Sequence, residues 1–151
     1  MSATYIDFKE AIYMRMPKEK GMREGWYYRR GDIYLVNLNP YVGSEQGGIR
    51  PVINMQNNSG SFFSPVLIGL PLTSEIKKVN QPTHYVLRHT GRLKKRSMVL
   101  AEQPVRFDKS RIVRYIGHVS DKDMPFIEDC VRESLGMTGP EISLPECEEF
   151  P

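Results

Sequence analysis

The sequence has no long apolar run. Its longest, Val66-Leu67-Ile68-Gly69-Leu70, is of strand length, far below the roughly 20 residues of a membrane-crossing helix. It has little cysteine. Cys130 and Cys147 lie in separate segments without a C-x-x-C spacing, which argues against a disulfide framework or a zinc site. Cys130 falls in a predicted helix and reads as a small buried apolar side chain. No His/Cys/Asp cluster stands at metal-ligand spacing, so neither metal nor cofactor is expected. The N-terminus lacks a secretory apolar core, because Asp7, Lys9 and Glu10 interrupt it, and a cytoplasmic location is expected. There is no large excess of charge of one sign either. A net charge of +3 over 151 residues does not by itself imply a nucleic-acid partner.

What is present is better read by position. Basic residues gather at Arg29-Arg30, Lys77-Lys78 and Arg92-Leu93-Lys94-Lys95-Arg96, and acidic ones at Glu141, Glu146, Glu148 and Glu149. Each basic group alone suits a solvated turn; together they suit a polyanionic partner. The chain divides into an extension over 1–27, a domain over 28–136 and an acidic, Pro-rich tail over 137–151. Tyr5, Phe8 and Ile12 predict a helix from about Tyr5 to Arg15 in the extension. In the domain, strands are predicted over Ile33–Leu38, Pro51–Gln56, Val66–Leu72, His84–Leu87 and Met98–Ala101, with Val105 and Phe107 continuing the pattern. Asn57-Asn58-Ser59-Gly60-Ser61 reads as a turn. Asp108-Lys109-Ser110 opens a short helical segment. Met124, Ile127, Val131 and Leu135 predict a final helix, capped by Ser120 and stopped by Gly136. Strands first and helix last, without βαβ alternation, predict a mainly-β fold with α: a small antiparallel barrel carrying a C-terminal helix.

The most specific segment runs Gly31-Asp32-Ile33-Tyr34 to Pro40, then Gly43-Ser44-Glu45-Gln46-Gly47-Gly48-Ile49-Arg50-Pro51-Val52. Gly43, Gly47 and Gly48 permit either an ordinary hairpin loop or a close backbone approach to a phosphate. In order, the phrases R-G-D-I-Y, N-P, G-S-E-Q-G-G-x-R-P-V, S-P-x-x-I, P-L-T-S, P-T-H, E-Q, D-K-S-R and I-G-H resemble the MazF/PemK family of toxin endoribonucleases, over about Arg30 to Leu135.

That resemblance implies an SH3-like, CcdB/PemK-like barrel that forms a homodimer. It implies sequence-specific, metal-independent cleavage of single-stranded RNA, leaving a 2′,3′-cyclic phosphate and a 5′-hydroxyl. It also implies a MazE-like antitoxin whose extended segment blocks the RNA groove. The family's key Arg and Thr fall on Arg50 and Thr73. Ser44, Gln46, Gly47, Gly48, Glu102 and Gln103 would then contact RNA.

These residue types suit the chemistry. RNA carries its own nucleophile, the 2′-hydroxyl. Arg50 offers a planar, permanently charged fork for two phosphoryl oxygens, and Thr73 a hydroxyl donor. With a pKa above ~12, Arg is a poor base. Glu45 is the candidate base, Glu102 the second. Ile49 stands where some family members carry a His. Phe62 and Phe63, between two predicted strands, could stack unpaired bases or meet the antitoxin. Trp26, Tyr27 and Tyr28 are expected beside the first strand. His84 and His118 could supply an acid–base pair, but both read as structural, and His89 sits in a turn. Two departures from the family pattern stand out: Arg106 is displaced by one position, and Asn54 is polar in a predicted strand. The competing reading is a non-catalytic module of the same fold, a gyrase poison or an RNA binder.

Overall fold

The computed structural model describes residues 21–140 apart from Glu24. The helix expected over Tyr5–Arg15 and the tail beyond Pro140 lie outside these residues. Seven strands follow one another: β1 (Asp32–Asn37), β2 (Ile49–Asn54), β3 (Val66–Thr73), β4 (His84–Val86), β5 (Met98–Leu100), β6 (Val105–Asp108) and β7 (Ile112–His118). A short helix, α1 (Asn58–Phe63), separates β2 from β3, a 3-10 turn (Lys109–Arg111) precedes β7, and α2 (Met124–Ser134) ends the domain. The class is mainly β with a C-terminal helix, as expected. The sheet runs β4-β5-β3-β2-β1-β7 with β6 also on β3. β4 and β7 end that order, so the sheet stays open.

Three elements differ from the sequence reading. The Asn-Ser-Gly cluster forms α1, not a plain turn, because the Asn57 side chain caps it by accepting from the Gly60 N–H at 2.8 Å. The strand over Ile112–His118 is an addition. Its pairing with β1 shifts register twice, between Ile33 and Tyr34 and between Leu35 and Val36, which blurs the period-two pattern. The final helix has Asp123, not Ser120, at its N-cap, and Asp123 does not cap it with its side chain.

Alternation along the strands gives the sheet an apolar core on both faces. Ile33, Ile53, Leu70 and Val99 pack with Ile127 and Cys130 of α2. Tyr34, Val36, Val52 and Phe107 pack on the other side with Met22 and Tyr28. The segment before β1 is tied in by a buried carboxylate. Asp32 Oδ2 accepts from the Tyr34 hydroxyl (2.8 Å) and the Arg29 N–H (2.9 Å). Its Oδ1 faces the Arg29 guanidinium (3.1 Å) and His118 Nδ1 (2.9 Å). Trp26 Nε1 donates to the Tyr34 hydroxyl at 3.0 Å. Burial, then the Asp32 charge, pushes the Tyr34 phenol far above its usual range. The R-G-D-I-Y phrase is thus largely a folding device.

Asp123 is the second buried hub. It accepts from the Tyr85 hydroxyl at 2.6 Å and the His89 N–H at 3.0 Å, and also from the Arg88 N–H. Its Oδ2 lies 3.3 Å from His89 Nδ1. Asn54, polar in β2, is fully buried and satisfied. Its amide donates to the Arg29 carbonyl and the Ser61 hydroxyl, and its oxygen accepts from the Gln56 N–H.

Candidate active site

β2 and β3 bring the two expected catalytic residues together. Their antiparallel register pairs Val52 with Pro71, Ile53 with Leu70 and Asn54 with Gly69. Arg50 lies two residues before Val52 and Thr73 two residues after Pro71, at the same end of this strand pair. Both line a cavity of about 530 Å³, together with the apolar side chains of Leu35, Pro51, Leu72 and Ile116.

The loop before β2 fixes the Arg50 fork. Nε donates to the Gly47 carbonyl at 2.8 Å and Nη1 to Gln46 Oε1 at 2.5 Å. Two of the five guanidinium donors are therefore spent on the loop, and the remainder can meet an anion. Thr73 accepts from the Glu75 N–H at 3.1 Å, so its own hydroxyl hydrogen is left to donate. Gly47 is needed for close packing. A Cβ there would stand 1.8 Å from the Tyr41 ring. The Gly48 N–H is taken by Asn39 Oδ1 at 2.8 Å and its carbonyl by the Leu38 N–H. These glycines build the loop that holds Arg50 before they touch any ligand.

The other expected residues distribute over two places. Ser44, Glu45, Glu102 and Gln103 line a second, adjoining cavity of about 1030 Å³, together with Arg106. Gln46 lines both cavities. Glu45 is exposed and its Oε2 accepts from the Val42 N–H at 2.9 Å. The carboxylate in the Arg50 cavity itself is Glu75, a residue the sequence motifs do not single out. Glu102 and Gln103 project because β5 and β6 both pair with β3 but in registers three residues apart, and Ala101–Pro104 steps out between them. Glu102 Oε1 meets His84 Nε2 at 2.7 Å, while Glu102 Oε2 and Gln103 Oε1 are buried and, among the described residues, without a hydrogen-bond partner. His84 Nδ1 lies 3.0 Å from the Lys78 carbonyl. Phe62 and Phe63 line neither cavity. They belong to α1, where Phe62 stacks on Tyr27 with ring centroids 5.8 Å apart and meets Phe63 edge-on at 4.8 Å.

The histidines are engaged elsewhere: His84 with Glu102, His118 with Asp32, His89 with Asp123. Among the described residues no three of His, Cys, Asp and Glu are grouped to hold a metal ion, and no helix is long and apolar enough to cross a membrane.

Residues 29–135 match the family described as "PemK-like, MazF-like toxin of type II toxin-antitoxin system". Endoribonuclease MazF of Staphylococcus saprophyticus is 42% identical over 110 residues, covering 72% of this chain and 92% of that protein. The fold is similar to the crystal structure of MazF from Deinococcus radiodurans, with TM-score 0.65 and 23% identity over 74% of this chain and 99% of that one. It is also similar to a mycobacterial endoribonuclease in complex with its cognate antitoxin, with TM-score 0.64 and 21% identity over 75% and 99% of the two chains.

Proposed function

The chain belongs to the PemK-like, MazF-like toxins of type II toxin–antitoxin systems, and on that premise we propose that it cuts single-stranded RNA at the cavity shared by Arg50 and Thr73. The observation that carries the reading is that these two side chains, 23 positions apart in sequence, line one cavity. The 2′-oxygen attacks the adjacent phosphorus and the bond from phosphorus to the 5′-oxygen breaks. The products are a 2′,3′-cyclic phosphate and a 5′-hydroxyl. The proton leaves the 2′-hydroxyl for a carboxylate, and the departing 5′-oxygen takes one from solvent water. Arg50 neutralises the charge that builds on the phosphoryl oxygens, and Thr73 donates to one of them. No metal is required.

Glu45 is the proposed base, one residue from the wall that Gln46 forms between the two cavities. Glu75, which lines the Arg50 cavity, is the second candidate. Gln46 is proposed to hold the Arg50 fork, and Ser44, Gly47, Gly48, Glu102 and Gln103 to guide the strand. Phe62 and Phe63, on α1 and outside both cavities, fit a protein contact better than base stacking. The domain boundaries at about 28 and 136, a homodimer, a cytoplasmic location and neutralisation by a MazE-like antitoxin complete the proposal. They are supported by the family match and by the antitoxin complex of the mycobacterial neighbour.

The test is incubation of the purified protein with a long single-stranded RNA in EDTA, beside Arg50→Ala and Thr73→Val. Cleavage by the wild type, 2′,3′-cyclic ends, and loss of about 10²–10³ in rate in each variant are expected. Glu45→Gln and Glu75→Gln decide the base. An uncut RNA together with inhibition of gyrase supercoiling would replace this reading with that of a non-catalytic module.

A further inference from the structure

The Arg50 cavity has a second wall that neither the motif nor Arg50 and Thr73 account for. Arg92, Lys94 and Lys95, from the turn between β4 and β5, and Arg114 of β7 line it. The turn lies against β7: the Arg92 Cβ is 3.9 Å from where a Cβ on Gly117 would stand. Arg114 is placed by its pairing with Leu35, which lines the same cavity. Among the described residues none of these four cations is in an ion pair. Among the described residues the one acidic side chain lining the cavity, Glu75, stands 3.5 Å from Lys77. Four like charges from two separate elements face one concave, half-apolar space. They repel one another, and a polyanion threaded through the cavity relieves that repulsion while releasing its own counterions.

We infer that the 92–95 turn and Arg114 form a second phosphate-binding wall, which holds a backbone phosphate of the RNA strand next to the one being cut. The inference rests on the RNA-cutting reading but assigns different residues. Arg50 and Thr73 act on the phosphate that reacts. The four cations hold a neighbouring phosphate that does not react, so they contribute equally to bound substrate and transition state. Their removal is expected to show in KM and in salt dependence, not in kcat.

The test uses the full chain and two separate variants, Lys94→Gln with Lys95→Gln, and Arg114→Gln. Gln keeps a polar stem and removes only charge. Binding to a short all-2′-deoxy single strand, which has phosphates but no nucleophile, is measured against salt concentration. The plot of log affinity against log salt is expected to become shallower by about 0.7 for each phosphate that is no longer neutralised. On cleavable RNA at saturation, kcat stays at the wild-type value while KM rises. An unchanged salt slope in both variants overturns the inference. So does a fall in kcat, which would place these cations at the reacting phosphate. Weakened binding to an acidic peptide with the strand's salt slope unchanged assigns the wall to a protein partner and likewise overturns it. The salt slope is read without cleavage, so an uncut RNA would reject the catalytic reading while leaving this measurement decisive.

Discussion

Gln46 Oε1 accepts from Arg50 Nη1 at 2.5 Å while the Gly47 carbonyl takes Nε. The side chain four residues before the arginine therefore sets the rotation of its fork. Gln46→Met keeps the bulk and removes the acceptor. The fork is then held from one edge only, and kcat on RNA is expected to fall by about ten- to a hundredfold. Affinity for an all-2′-deoxy strand should change little. A rise in KM at constant kcat would instead make Gln46 an RNA contact.

Gly31 stands at φ +93°, and a Cβ there would be 2.8 Å from His118 Cε1. His118 cannot retreat without leaving Asp32. Gly31→Ala is expected to lower stability by about 1–3 kcal/mol, read as a fall in the midpoint of urea unfolding. Because neither residue lines the cavities, the kcat of the folded fraction should hold.

Asp123 carries the pH dependence. Burial pushes its carboxyl up, but the hydrogen bonds from Tyr85, the His89 and Arg88 backbone and the His89 ring outweigh that and hold it below its usual value. The stabilisation is therefore complete above the unfolded carboxyl's pKa, near ~3.9, and is lost as the pH falls through the lower folded value. Asp123→Asn should cost about 1–3 kcal/mol at neutral pH. The gap between variant and wild type should narrow as acid protonates the wild-type side chain. The Tyr85 phenol, pushed up to about 12 by burial and then by Asp123, stays neutral across that range. Urea midpoints from neutral to strongly acid pH decide it, and a gap that widens in acid would contradict the assignment.

Ile127 is fully buried where α2 meets the sheet. Ile127→Ala is expected to cost about 2–5 kcal/mol, with Cys130 becoming reactive to thiol reagents at lower denaturant. Burial also pushes the Cys130 thiol up, so slow labelling is expected in the intact protein.

The legible parts of the fold are those with a strong local period. The predicted strands at Val66–Leu72 and Met98–Ala101, and the Met124-Ile127-Val131 spacing, fall within two residues of the observed elements. β7 escapes because two register shifts break its alternation. α1 escapes because Asn, Ser and Gly favour turns until a side chain such as that of Asn57 caps a helix. At the site, the motif singles out Arg50 and Thr73, but only the antiparallel pairing of β2 with β3 carries them to the same end of the sheet. The Arg92–Lys95 turn is visible in the sequence as charge alone. Its position over β7 comes from packing across the sheet that no local pattern encodes. Glu75 carries no signal at all in the sequence.

The chain has one tryptophan. Trp26 donates to the buried Tyr34 hydroxyl and packs on Tyr115 with ring centroids 4.6 Å apart. It lines neither cavity. Its indole emission therefore serves as a built-in optical gauge of whether the segment before β1 is docked, and it should stay silent while a strand enters or leaves the groove.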